Sequence, residues 1–426
     1  MQSNDDAIRV AELFAGVGGF RLGLEGYKGT RKDGFTRKAA GPYETVWANQ
    51  WEPPGKDSKQ FAARCYQRRW DDGTLVVEDI HKVVDDYRDG KISIPDFDML
   101  VGGFPCQSYS VAQVKTRSRG IEGEKGILWW DIYNMLLLKE PRYLLLENVD
   151  RLLLSPSQQK GRDFAIILSC LAKLGYSVEW RVINAADYGF VQKRRRVYIY
   201  GVKTEAKWDL AGRLEKDGVM AKTFPISSDF SNMHVVRVGT DVSDVSRNFG
   251  VNAKKSVFGN SGVMADGLVF TAKSTPNYKG DHKVLGDILV PEEEVPDNYY
   301  VDDEAQLALW KHQRVSKRLE RTTADGHTWF YSEGAMAFPD PIDKPARTIL
   351  TGGGTPSPSR MKHIIEPVEG RYRRLVPDEL DQIQDFPKGW TDGCGMSDTQ
   401  RAFCAGNALV VGLPHLIGKT IAKMRE

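Results

Sequence analysis

The sequence predicts an α/β protein: a doubly wound, mostly parallel sheet with a second, smaller domain inserted into it. Three observations carry that prediction. Short apolar runs recur through the first half, at Arg9 to Phe14, Tyr43 to Ala48, Phe97 to Val101, Tyr143 to Leu146 and Arg196 to Val202, and helical patterns such as Asp131 to Lys139 and Asp163 to Leu174 fall between them. Several of these runs end in glycine or in polar residues, at the sheet edge where ligands sit in such folds. From Thr204 to about Pro341 the rhythm stops. That stretch is rich in Gly, Ser, Asn and Asp, and Asp302 to Arg321 is its one convincing helix. Beyond it, Asp378 to Gln384 reads as a short helix and Leu409 to Met424 as an apolar terminal helix broken by Pro414.

Composition sets the bounds. With 426 residues, 41% hydrophobic and 27% charged, the chain suits two or three globular domains. No apolar run is expected to span a bilayer, and the polar start Met1 to Asp6 does not read as a secretory signal. The five cysteines lack metal-ligand spacing, which argues for free thiols in a reducing compartment and for no metal. A net charge of +2 does not announce nucleic-acid binding, so any such surface must be local.

The first strand runs into Phe14-Ala15-Gly16-Val17-Gly18-Gly19. A glycine turn there lets a nucleotide-like ligand approach the backbone at a helix N-terminus. The dinucleotide fingerprint would need a third glycine where Arg21 stands, so a ligand without a pyrophosphate, such as S-adenosylmethionine, fits better. After the second strand, Gln50 or Glu52 could grip ribose hydroxyls and Trp51 could stack on an adenine. Asp79 and Ile80 follow the next apolar run, where they read either as adenine contacts or as a helix cap.

The fourth run leads into Gly102-Gly103-Phe104-Pro105-Cys106, a thiol on a stiff turn at a strand's carboxyl end. Glu147 ends a wholly apolar strand, where desolvation favours the protonated carboxyl and suits a group that shares a proton. In Gln192-Lys193-Arg194-Arg195-Arg196, alternation puts Arg194 and Arg196 on one face, able to clamp a carboxylate, a phosphate or a base edge.

Taken in order, Phe-x-Gly-x-Gly-Gly at 14–19, Gly-Phe-Pro-Cys-Gln-x-x-Ser at 103–110, Glu-Asn-Val at 147–149, Gln-x-Arg-x-Arg at 192–196 and Gly-Asn-Ala at 406–408 resemble the C5-cytosine DNA methyltransferases. The resemblance covers the first half almost continuously and resumes from about Lys344. It implies the S-adenosylmethionine-dependent methyltransferase fold, with a catalytic domain at 1–203 completed by 400–426, a target-recognition domain at 204–371 and a connecting segment at 372–399. It implies that Cys106 adds to C6 of a flipped-out cytosine, that Glu147 engages N3 and the exocyclic amine, and that Arg194 and Arg196 hold the base carbonyl and Glu147. Phe14, Gly16, Gly18, Gly19, Gln50, Trp51, Asp79, Ile80, Asn407 and Ala408 would hold S-adenosylmethionine. Pro105, Gln107, Ser110 and Asn148 would face the substrate. Lys115 and Arg117 belong to a stretch that matches the family's catalytic loop, which closes on DNA.

Many relatives carry an acid where Gln50 stands, so the ribose contact here would pass to an amide. Double-stranded DNA is the expected partner. A monomer in a bacterial or phage-infected cytoplasm is the expected form, beside a cognate restriction endonuclease or without one. Lys273, Tyr278, Lys279, Lys311, Arg314, Arg318 and Trp329 are candidate DNA contacts in the insert. The alternatives are a C5-methyltransferase of tRNA, a catalytically silent DNA-binding protein and, more distantly, a dinucleotide-dependent oxidoreductase.

Overall fold

A computed structural model describes residues 6–29, 35–53, 59–104, 128–228, 230, 233–322, 326 and 328–425. The chain divides into two compact units: Met1–Tyr188 with Arg195–Gly280 and Leu409–Glu426, and Gly189–Arg194 with Asp281–Ala408.

The first unit is built on a ten-stranded sheet. One half is parallel: β1 (Ile8–Leu13), β2 (Tyr43–Asn49), β3 (Leu75–Val76), β4 (Met99–Gly103) and β5 (Tyr143–Val149), in spatial order β3-β2-β1-β4-β5. The winding reverses between β1 and β4, which makes that point the natural crevice for a ligand. Met99, Leu100 and Val101 of β4 and Leu144, Leu145 and Leu146 of β5 are all fully buried, as strands covered on both faces should be.

The other half is antiparallel, formed by β6 (Tyr176–Asn184), β7 (Arg195–Lys203), β8 (His234–Arg237), β9 (Ser261–Ala265) and β10 (Leu268–Ala272) in the order β5-β7-β6-β9-β10-β8. The strand expected over Arg196 to Val202 is therefore present but runs antiparallel to β5. The chain reaches it from β6, an adjacent antiparallel strand, and not through a crossover helix.

Residues 204–280 do not form part of a separate insert. β9 pairs with the edge of β6, and Gly262 makes that possible: a Cβ there would lie 2.0 Å from the Trp180 ring. The compact second unit accordingly begins at Asp281 and runs to Ala408, rather than spanning 204–371. The terminal residues 400–408 belong to it as well, and only Leu409 onward returns to the first unit.

Two helix boundaries also differ from expectation. The helix placed at Asp302 to Arg321 stops at His312, and Lys317–Thr322 is a strand paired with Thr328–Glu333. The terminal helix Gly412–Met424 is unbroken, because Pro414 lies in its first turn, where amide hydrogens have no helical partner. The stretch Asp398–Met424 is apolar and long enough to span a bilayer by composition, but 67% of its apolar window is buried inside the protein, as in a core helix.

Candidate active site

The crevice begins with the turn after β1. Phe14 and Gly16 both take φ 56 and Gly18 takes φ 88, so three of five residues are left-handed. Gly18 is fixed twice over, since a Cβ would also lie 2.2 Å from the Trp70 ring. Gly19 opens the helix Gly19–Leu24.

The Gln50 side chain reaches back into this turn: its Oε1 accepts the Gly16 N–H at 2.7 Å. The neutral amide thus ties β2 to the glycine loop. Trp51 beside it is half-buried. Asp79 takes the helix-cap reading, accepting the His81 N–H at 3.0 Å at the start of Ile80–Arg88, and Ile80 is buried. Asn49 joins these strand ends by donating to the carbonyls of Val76 at 3.2 Å and Glu78 at 2.8 Å.

Arg21, which occupies the third-glycine position, is a structural lock. Its guanidinium is buried, lies 4.8 Å from the Trp70 ring centroid and pairs with Glu25 at 3.1 Å and with Asp72. Glu12, under the same turn, accepts the Phe20 N–H at 3.3 Å and the Tyr66 hydroxyl at 3.3 Å. Burial pushes its carboxyl up to about 8.

On the other side of the crevice, register places Gly103 opposite Glu147. Glu147 Oε1 forms an ion pair with Arg196 Nε at 3.0 Å, with the two side chains 12% and 18% exposed. Glu147 Oε2 lies 3.2 Å from where a Gly103 Cβ would stand, so the carboxylate sits against the end of β4. Asn148 is 1% exposed, and both ends of its amide are used within the protein: Nδ2 donates to the Phe104 carbonyl at 2.7 Å and Oδ1 accepts from Val149 N at 2.8 Å. Asn148, expected at the substrate, thereby also ties the end of β4 to the end of β5. Phe104 is buried against Trp129, with ring centroids 6.0 Å apart.

The expected residues Pro105, Cys106, Gln107, Ser110, Lys115 and Arg117 lie outside the described residues. Arg194 is in the second unit, where its buried guanidinium donates to the carbonyls of Ile349 at 3.4 Å and Gly406 at 3.1 Å. Of the two arginines expected to clamp Glu147, Arg196 pairs with it. Arg195 pairs with Asp150 at 3.1 Å. Asn407 ends the helix Asp398–Asn407 in the second unit and is exposed, and Ala408 caps it. Past that point the chain does fold back: the terminal helix packs on the helix that follows the glycine loop, with His415 Nδ1 3.0 Å from the Gly23 carbonyl. Asn49 was missed from sequence. An amide ending a buried strand, among acceptors that cannot reach water, was the available signal.

Among the described residues no group of three or more His, Cys, Asp or Glu side chains could hold a metal ion. Comparison with known proteins bears on the family and the fold. The C-5 cytosine-specific DNA methylase family matches residues 8–423. The Type II methyltransferase M.Sau3AI of Staphylococcus aureus is 44% identical over 98% of this chain and 96% of its own length. M.HhaI of Haemophilus parahaemolyticus, also a Type II methyltransferase, is 32% identical over 45% of this chain and 48% of its own. Among solved structures, the S. pombe Dnmt2 methyltransferase superposes with a TM-score of 0.56 at 15% identity, over 98% of this chain and 100% of that one. The Entamoeba histolytica methyltransferase EhMeth gives 0.55 at 13%, over 99% of each. At those identities the structures speak for the fold alone.

Proposed function

Because the chain belongs to the C-5 cytosine-specific DNA methylase family, we propose that it moves a methyl group from S-adenosylmethionine to C5 of a cytosine turned out of a specific short duplex sequence, through a covalent bond between Cys106 and C6. That it is a DNA cytosine-5 methyltransferase follows from the family and from the near full-length likeness to M.Sau3AI.

The turn after β1 suits the cofactor. At Gly16 a Cβ would meet nothing nearer than the Phe14 carbonyl at 4.0 Å, so the backbone there borders open space. Phe14, Gly16, Gly18, Gly19, Trp51, Asp79 and Ile80 would hold the cofactor, joined by Asn407 and Ala408. Gln50 acts through the loop, since its oxygen is already committed to Gly16. S-adenosylmethionine, when bound, supplies a methyl group on a positively charged sulfur.

Cytosine C5 is too weak a nucleophile to take that methyl unaided. The Cys106 thiolate adds to C6, and the ring electrons move toward C5 and N3. Glu147 shares a proton with N3 and holds the exocyclic amine, which separates cytosine from thymine. Arg196 keeps the carboxylate oriented and reaches the base carbonyl. C5 takes the methyl group, its proton leaves to a base, and expulsion of the thiolate restores the aromatic ring. A base stacked in a duplex is out of reach, so the target must leave the helix.

The observation that carries this reading is the Glu147–Arg196 pair set against Gly103, three residues before Cys106 in the sequence. We place the enzyme in the cytoplasm as a monomer, acting beside a cognate restriction endonuclease or without one. The test is methyl transfer from labelled S-adenosylmethionine to unmethylated duplex DNA, mapped by bisulfite sequencing, with wild type beside Cys106→Ala. Label at one short motif, absent in the variant, is expected. Equal label in both would remove Cys106 from the mechanism. Label on tRNA and none on duplex DNA would reassign the substrate.

A further inference from the structure

Glu12 stands in β1, two residues before the turn that opens at Phe14, and is 1% exposed. A buried acid in such a place is costly and needs partners. Its two oxygens serve different walls of the turn. Oε1 accepts the Phe20 N–H at 3.3 Å, in the helix Gly19–Leu24 that leaves the turn. Oε2 accepts the Tyr66 hydroxyl at 3.3 Å, from the helix Phe61–Arg69. The Tyr66 ring lies 4.8 Å from the Trp70 ring, and both rings close on Gly18: a Cβ there would stand 3.3 Å from Tyr66 and 2.2 Å from Trp70. One carboxyl thus braces the helix start and the aromatic wall behind the turn.

The charges around Glu12 leave it to burial. On the flanking strands its neighbours, Ala48 and Val101, are uncharged. Arg21 faces it past Tyr66, with Nη1 3.5 Å from the Tyr66 hydroxyl. That guanidinium is already committed to Glu25 at 3.1 Å, to Asp72 and to the Thr74 hydroxyl at 3.0 Å. The terminal helix, packed on the helix Gly19–Leu24, offers His415, which engages the Gly23 carbonyl. Desolvation therefore outweighs Arg21 and the hydrogen bonds, and the carboxyl is lifted to about 8. Both charge states fit the same contacts. When neutral, the carboxyl can donate to the Tyr66 oxygen and still accept from Phe20. When ionised, it holds the Phe20 N–H by a charge-assisted bond, which is the stronger form.

S-adenosylmethionine carries a positive sulfur, and the product left after methyl transfer carries none. We propose that Glu12 is a positioning residue of the cofactor turn that separates these two ligands by charge: it gives up its proton to solvent when the cationic cofactor binds, and keeps it when the neutral product binds. The inference rests on the cofactor reading above. Attraction between opposite charges in a crevice poor in water couples the two events. The coupling is reciprocal, so pH must act on cofactor affinity as the cofactor acts on the proton. Below about 8 a proton has to leave, and affinity rises with pH; above it, affinity levels off. Methyl transfer removes the positive charge, a proton returns to Glu12, and the hold on the turn weakens as the product leaves.

The test is calorimetry on the full-length protein, in buffers of different ionisation enthalpy, from about pH 6 to about pH 9. It counts the protons released with S-adenosylmethionine and with its demethylated product, S-adenosylhomocysteine. Both ligands carry the same amino and carboxyl groups, so the difference between them reads the sulfur's charge. Near pH 7.5 the cofactor should release about half a proton more than the product, and its affinity relative to the product should climb about tenfold across the range. Glu12→Gln can accept from Phe20 and donate to Tyr66 as the neutral acid does, and should bind both ligands with that difference gone. Tyr66→Phe removes one bond that favours the ionised form and should move the levelling point to higher pH. Equal proton release with the two ligands in wild type, or a difference that persists in Glu12→Gln, would overturn the inference and leave the cofactor reading intact. A wild type that binds neither ligand would overturn both. The wild-type comparison stands without any variant, so it decides the matter even if Glu12→Gln fails to fold.

Discussion

Replacing Asn148 with alanine should damage the site through the backbone groups that this side chain holds. Asn148 is 1% exposed, and its amide serves two buried backbone groups: it donates to the Phe104 carbonyl at 2.7 Å and accepts from the Val149 N–H at 2.8 Å. Alanine would strand both. A buried polar group left without a partner costs about 1–3 kcal/mol, so the two together cost roughly 2–6 kcal/mol if the cavity stays dry. The lower end is the firmer expectation, since a water admitted to the cavity would recover part of the loss. The same change releases the Phe104 carbonyl at the end of β4, two residues before Cys106 in the sequence. Urea denaturation should therefore show a fall of at least about 2 kcal/mol, and kcat should drop at least tenfold with cofactor affinity retained. Asn148→Asp divides the two bonds. It can still accept from Val149 but has no donor for Phe104, so it should recover stability less than activity requires. A loss below about 0.5 kcal/mol, within the range of ordinary surface substitutions, with kcat inside twofold of wild type, would refute the reasoning.

Three further outcomes follow from particular contacts. Gly18→Ala combines φ 88 with a Cβ 2.2 Å from the Trp70 ring, so calorimetry should show cofactor binding lost or weakened at least tenfold; binding within twofold of wild type would count against the loop. Gln50→Ala frees the Gly16 N–H and should weaken the cofactor severalfold, whereas Gln50→Glu, which can still accept that hydrogen bond, should stay near wild type. His363 is fully buried, and desolvation pulls its imidazole down to about 4 from 6.5. Below pH 6.5 the unfolded chain takes up a proton that the folded one refuses. The neutral imidazole's contribution is therefore intact above that pH and is lost progressively as pH falls toward 4, by about 3 kcal/mol in full. His363→Gln should flatten this acid limb in urea midpoints measured from pH 7 to pH 4, and an unchanged limb would assign the acid loss to other groups.

Much of the candidate site was legible because it is local. The strands that end at Leu13, Asn49, Val76, Gly103 and Val149 were readable as apolar runs, and each delivers its following residues to one edge of one sheet. The glycine turn needs positive φ at Gly16 and Gly18, and only a residue without a Cβ accepts that cheaply, so it is written in the sequence. Glu147 at the end of a buried strand was equally visible, because a charge in that place needs a partner.

Tertiary structure decided what depends on distant pairing. Tyr176, Val178, Trp180 and Val182 alternate in the manner of a strand, yet nothing local says that its open edge will be met by Ser261–Ala265. That one pairing brings residues 204–280 into the first unit and extends the antiparallel half of the sheet. Alternation placed Arg194 and Arg196 on one face, but β7 begins at Arg195, and outside a strand the alternation rule no longer applies. Arg196 meets Glu147, while Arg194 serves carbonyls of the second unit. Asn148, expected at the substrate, also holds the carbonyl of Phe104, 44 positions away. Backbone preference and hydrophobic period act over a few residues, and the sequence by itself determined whatever they control. Which buried group satisfies which other depends on neighbours that only the folded chain brings together.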